Sequence, residues 1–152
     1  MNLIVKTENR PQLKALLSNL QPGTKPLWGK MNAQQMVEHL VQEVKYTNGK
    51  LTGVCQRTPE EAAQRKRNGI YSDSPFPKNI VFGTIPENYG HANIPAAVDQ
   101  LMVELVDFDQ YFKTPGITAV HGGFGDLTYD EWLVWHSKHF THHFQQFGLL
   151  PE

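Results

Sequence analysis

"LTYDEWLVWHSKHFTHHFQQFG", Leu127 to Gly148, is the stretch that decides the fold. Thr128 and Glu131 have capping-box spacing: a hydroxyl before the first turn and a carboxylate three residues on, each able to bond the other's backbone N–H. Leu127 and Trp132 stand where a hydrophobic staple would close, and Gly148 suits a helix end. At about 100° per residue, His139 and His143 fall within about 20° of Trp132, His136 within about 40° and Phe147 within about 60°. Leu133, Trp135 and Phe140 widen this stripe. His142 lies about 80° off, at the edge, while Val134, Lys138 and Gln145 fall on the far side. So broad an aromatic face belongs to a helix packed into a core.

The histidines on that face raise a chemical problem. Four of the chain's seven lie within this one helix. A buried polar group left unpaired costs about 1–3 kcal/mol, and several charged imidazoles together would repel. A metal ion answers both difficulties by taking the lone pair of each neutral ring. His139 and His143, at i and i+4, can converge on one ion. The competing reading is an H-x-x-x-H pair satisfied by packing alone. A third ligand would come from a facing helix, and His39 in "QMVEHLVQEV" is the candidate. It lies at the margin of its own apolar stripe, about 130° from the centre. That leaves it either half-exposed or turned into a cavity between two helices. Glu43, one turn later, would orient His39 or carry a proton. His121, among Gly122, Gly123 and Gly125, lines a pocket mouth or merely belongs to a flexible turn. His91 calls for no special role.

The rest of the chain supplies the partners for that helix. In "TENRPQLKALLSNL", Asn9 or Thr7 caps a helix with Pro11 early and Leu13, Leu16, Leu17 and Leu20 as its stripe. In "NAQQMVEHLVQEVKYTNG", Asn32 is the cap and Gln35 reaches back. Met36, Val37, Leu40, Val41 and Val44 recur at helical spacing, and Asn48 and Gly49 end it. A long connection, residues 49–93, follows. Loops of that length tend to be functional. Thr58, Pro59, Glu61 and Gly69 delimit a short helix inside it, and "NIVFGTI" reads as packed loop. Tyr71, Phe76 and Phe82 of this connection would roof a pocket and select an apolar substrate. A further helix runs from Ile94 or Pro95 to Phe112, with Val98, Leu101, Met102, Leu105, Phe108 and Phe112 on one side. The expectation is a single all-α domain over residues 1–152: a four-helix bundle whose second and third long helices are joined by a long connection containing a short extra helix.

Bulk properties narrow the function. With 14 Lys and Arg against 15 Asp and Glu, the net charge is -1, which does not favour nucleic acid. The one basic run, Arg65 to Arg67, reads as a solvated helix face. No apolar run approaches membrane-spanning length. Lone Cys55 and a start without an apolar signal segment point to a reducing, cytoplasmic setting, with Cys55 inert. Trp28, Trp132 and Trp135 are core or interface aromatics, and a homodimer would fit such faces.

"WGKMNAQQMVEHL" (Trp28 to Leu40), "SPFPKN" (Ser74 to Asn79) and the segment His121 to Gly148 resemble the DinB/YfiT-like superfamily, and more closely a subgroup of it that is a domain family of unknown function. These stretches cover about a third of the chain. The resemblance implies a four-helix bundle of metalloenzymes whose divalent metal is held by one histidine of the second helix and an H-x-x-x-H pair of a late helix. Those positions are His39, His139 and His143 here. It leaves His136 and His121 as outer partners or pocket residues, and His142 as a non-ligand. It further implies a metal-dependent transferase using a low-molecular-weight thiol, or a hydrolase, acting on a small molecule with Zn, Ni or Fe. The alternatives are a non-catalytic small-molecule-binding or stress-related bundle, and a dimer-forming protein with merely packed histidines. Because ligation needs neutral imidazole, metal affinity should fall below a pH of about 6.5.

Overall fold

A computed structural model of the protein describes residues 4–78 and 84–152. Among them the chain forms α1 (Arg10–Leu17), α2 (Ala33–Lys45), α3 (Pro59–Gly69), α4 (Ile94–Tyr111), β1 (Ala119–His121), β2 (Gly125–Leu127) and α5 (Tyr129–Gln146). The architecture is mostly helical. None of the helices is long and apolar enough to cross a membrane.

The caps form where the sequence places them. Asn32 with Gln35, Thr58 with Glu61 and Thr128 with Glu131 each close a complete capping box, and Asn9 rather than Thr7 caps α1. Each cap stabilises its helix by about 1 kcal/mol. Thr7 serves differently. Its backbone N–H donates to Ser137 Oγ at 3.0 Å and its hydroxyl to the Leu133 carbonyl at 3.0 Å, tying the N-terminal segment along α5. Val5 N continues that contact onto Thr141 Oγ1 at 3.0 Å.

α2 packs along α4, and both α1 and α5 close on this pair. Met36, Leu40 and Val44 meet Leu101, Leu105 and Phe108 within one core that also takes in Trp135, Phe140 and Phe144. The outer face of α2 is covered as well. Gly90 N and His91 Nδ1 lie 2.6 and 2.9 Å from Glu38 Oε1, and Gln35 Nε2 donates to the Pro86 carbonyl at 2.9 Å. The late part of the long connection is thereby clamped to α2, which accounts for His91 without any chemistry.

Two features differ from the sequence reading. The glycine-rich turn before α5 is a small antiparallel hairpin, pairing Ala119 with Leu127, Val120 with Asp126 and His121 with Gly125. Strands of three residues are too short to show an alternating pattern. Gly125, the first residue of β2, takes φ 75°, a left-handed conformation that favours glycine where the chain enters the second strand. The second difference is Lys138, expected on a solvent face but only 7% exposed. Its ammonium donates to the carbonyls of Gly69, Ser72 and Ser74 at 2.8, 2.6 and 3.0 Å. The connection after α3 therefore wraps the far side of α5, and burial lowers the Lys138 pKa. Of "NIVFGTI", residues 79–83 lie outside the described residues.

Candidate metal centre

α2 and α5 bring His39, His139 and His143 together. One ring nitrogen from each lies within 4.8 Å of the others. His139 Nε2 is central, 3.0 Å from His39 Nε2 and 3.0 Å from His143 Nε2. The three rings are 1%, 0% and 6% exposed. So His39, ambiguous by periodicity, is buried: the margin of its stripe is the side on which α5 and the connection close. The rings meet edge-on, with centroids 4.7–5.1 Å apart. Phe76 and Trp135 lie against His139, at 6.1 and 4.5 Å between centroids.

Burial keeps these imidazoles neutral. Desolvation pushes His39 down to about 4 and His143 to about 3, and holds His139 well below its ordinary value, with the neighbouring rings adding to the effect. The tautomer of His143 is set by Gln146. The Gln146 amide nitrogen donates to the Trp28 carbonyl at 2.9 Å, which turns Oε1 toward His143 Nδ1 at 2.7 Å. Nδ1 therefore carries the proton, and the lone pair of His143 faces the cluster from Nε2. His39 is held more loosely. Its Nδ1 makes no well-formed hydrogen bond, and the Thr84 backbone is the polar group that bears on it. Sequence reasoning passed over Gln146, although its place three residues after His143 puts it one turn away on the same helix face.

The donor set fits a divalent metal. Ligands at about 2.0–2.1 Å around a tetrahedral ion stand about 3.3 Å from one another, close to the two Nε2 separations of 3.0 Å that centre on His139. Neutral imidazole nitrogens suit zinc, nickel and iron alike.

His136 stays apart from the cluster. Thr47 commits its hydroxyl hydrogen to the Val44 carbonyl at 2.7 Å and so accepts from His136 Nε2 at 3.1 Å. The His136 ring, fully buried and pushed down to about 3, stacks between Trp132 and Phe140. His142, also buried, lies against Trp28 and Phe76. His121 receives the N–H groups of Gly123 and Phe124 on Nδ1 at 2.9 and 3.1 Å, so its own proton sits on Nε2. It lines a cavity with Glu43, as a pocket residue would. The Glu43 carboxyl makes no hydrogen bond to His39; burial raises it to about 7. Of the three aromatics expected over the pocket, Phe76 covers His139. Tyr71 is 67% exposed and donates its hydroxyl to Glu131 instead, and Phe82 lies outside the described residues. No protein-family model, curated protein or solved structure matches this chain.

Proposed function

We propose that the chain is a metal-dependent enzyme on a four-helix bundle of the DinB/YfiT-like kind, with α1, α2, α4 and α5 as the bundle and His39, His139 and His143 holding zinc, nickel or iron. A count of protons supports this reading. His143 Nε2 carries a lone pair, and His139 Nε2 lies at 3.0 Å from it and from His39 Nε2. If His139 Nε2 bears a proton, it can donate to His143 but has no lone pair in the ring plane for His39. If it bears a lone pair, it faces the lone pair of His143. Neutral rings can make one of these contacts properly as a donor–acceptor pair while pointing all three nitrogens inward, or leave a proton facing outward from the focus. A cation at the focus satisfies all three.

A divalent ion so held supplies Lewis acidity, lowering the pKa of a water or thiol beside it. The chain's residues do the rest. Gln146 orients His143, burial keeps the imidazoles unprotonated, and Phe76 and Trp135 keep water from His139. Glu43, at the neighbouring cavity and raised to about 7, holds or releases a proton at neutral pH. The reaction is thiol transfer from a low-molecular-weight thiol, or hydrolysis.

One observation favours a second reading, in which the ion is a structural clamp in a binding module. None of the three rings lines either neighbouring cavity. Cobalt substitution separates the two. Tag-free protein should bind about one equivalent, and a small thiol should add a thiolate-to-cobalt absorption band if a position is open. A cobalt spectrum unmoved by thiol favours the clamp. Failure to bind zinc, nickel, iron or cobalt after reconstitution defeats both.

A further inference from the structure

A cavity of about 520 Å³ opens between α2, the segment before α3, α3 itself and the hairpin. That volume suits a small organic ligand. Its floor is apolar, with Trp132 and Trp135 from α5 and Val120 from β1. Its rim carries Arg57 and Arg65, the latter read from sequence as part of a solvated helix face. Among the described residues neither guanidinium is in an ion pair. Glu61, the carboxylate on which both bear, is engaged with Thr58 in the α3 capping box. His121 adds a neutral donor, since the hairpin amides hold its Nδ1 and leave the proton on Nε2. Glu43 is the one acid in this lining, and burial removes much of its charge near neutrality.

The other cavity beside the histidines, about 420 Å³, offers no comparable pair of cations. Lys138 is committed to three carbonyls. Lys78 pairs with Glu152 at 3.1 Å and lies over the Trp28 ring at 4.8 Å. Two guanidiniums outside any close ion pair, set over an aromatic floor, match an anionic head on an apolar body.

We propose that the cavity between α2, α3 and the hairpin binds a small organic acid, its anionic head on Arg57 and Arg65 and its apolar or aromatic body on Trp132 and Trp135. Calling that acid the substrate rests on the metal reading, because the cavity approaches the histidines through Trp135, packed on His139, and Thr84, beside His39. The acid site itself does not need the metal.

Tryptophan fluorescence tests it. The chain has three tryptophans, so Trp28→Phe confines the signal to Trp132 and Trp135. Benzoate, phenyl phosphate and neutral benzamide are titrated into chelator-treated and zinc-supplemented protein, with calorimetry on the unaltered chain as a second readout. At least one acid should bind saturably, about tenfold more tightly than benzamide. The exposed double variant Arg57→Gln, Arg65→Gln should lose that preference and keep its zinc content. Equal binding of acid and amide, no saturable binding of either acid, or an undiminished preference in the double variant overturns the proposal. A chain that binds acid but takes up no zinc keeps this inference and loses the metal reading.

Discussion

His143 and His136 sit on the same stripe of the same helix, both buried, yet their neighbours hold them by opposite ring nitrogens. Gln146 accepts the proton on Nδ1 of His143 and so presents the Nε2 lone pair to two other rings. Thr47 accepts the proton on Nε2 of His136, and stacked aromatics enclose the ring. Burial and helical face are nearly the same for both. The difference lies in which nitrogen the neighbouring acceptor reaches, and that decides whether a buried imidazole can serve a cation or only the core.

The largest expected effect concerns what the two regions share. Burial holds His39 and His121 at about 4, His136 and His143 at about 3, and His139 well below its ordinary value. Unfolded imidazoles take up a proton below a pH of about 6.5, while these folded ones do not until far lower. The unfolded chain then binds more protons, so stability is full above about 6.5 and falls as pH falls, by about 1.4 kcal/mol per unit for each ring in the window. Glu43 works the other way. Its folded value of about 7 against an ordinary 4.5 adds stability as pH falls between them. One carboxyl does not offset five rings. The thermal midpoint should therefore drop steeply between pH 6.5 and 5, estimated from these same shifts, and His136→Phe should make the slope shallower. A midpoint that rises in acid would contradict the neutral histidine core.

Metal affinity should split the regions apart. His139→Ala removes the central nitrogen and should weaken zinc binding more than about a hundredfold, whereas His136→Leu should change it only a few-fold. Competition with a chromophoric chelator measures both. Equal losses would mean that His136 belongs to the cluster after all. The low folded pKa values also revise the pH dependence expected from ordinary histidine: while the chain stays folded, protons should begin to compete with the ion only toward pH 4, well below 6.5.

Local signals made the helices legible. The capping boxes at Asn32, Thr58 and Thr128 are short patterns with one structural meaning, and all three form. The pairing of His139 with His143 followed from a helical turn. What the sequence hid was tertiary. Lys138 is buried because its ammonium is satisfied by carbonyls of a distant connection, and no pattern within α5 records that. The depth of His39 depends on coverage of α2 from two sides, by α5 and by the segment that Glu38 clamps, whereas periodicity counts a single face. Arg57 and Arg65 border a cavity only because the hairpin closes against α3, where a Cβ on Gly69 would meet the Phe124 ring at 2.5 Å. Nothing local to either arginine announces this.

Two finer substitutions probe the acceptors themselves. Gln146→Leu leaves all three rings of the proposed site in place but frees His143 to change tautomer, and should cost about 10–100-fold in metal affinity. Gln146→Glu keeps an acceptor oxygen and should recover part of the loss. Thr47→Val is the matching change at His136. It strands a buried N–H and should cost about 1–3 kcal/mol of stability in denaturant unfolding, with Thr47→Ser restoring most of it. Zinc affinity should not move, because the His136 ring presents no nitrogen to the cluster. If Thr47→Val weakened zinc as Gln146→Leu does, the two acceptors would be parts of one network, and the choice of nitrogen would no longer explain why neighbouring histidines on one helix differ in use.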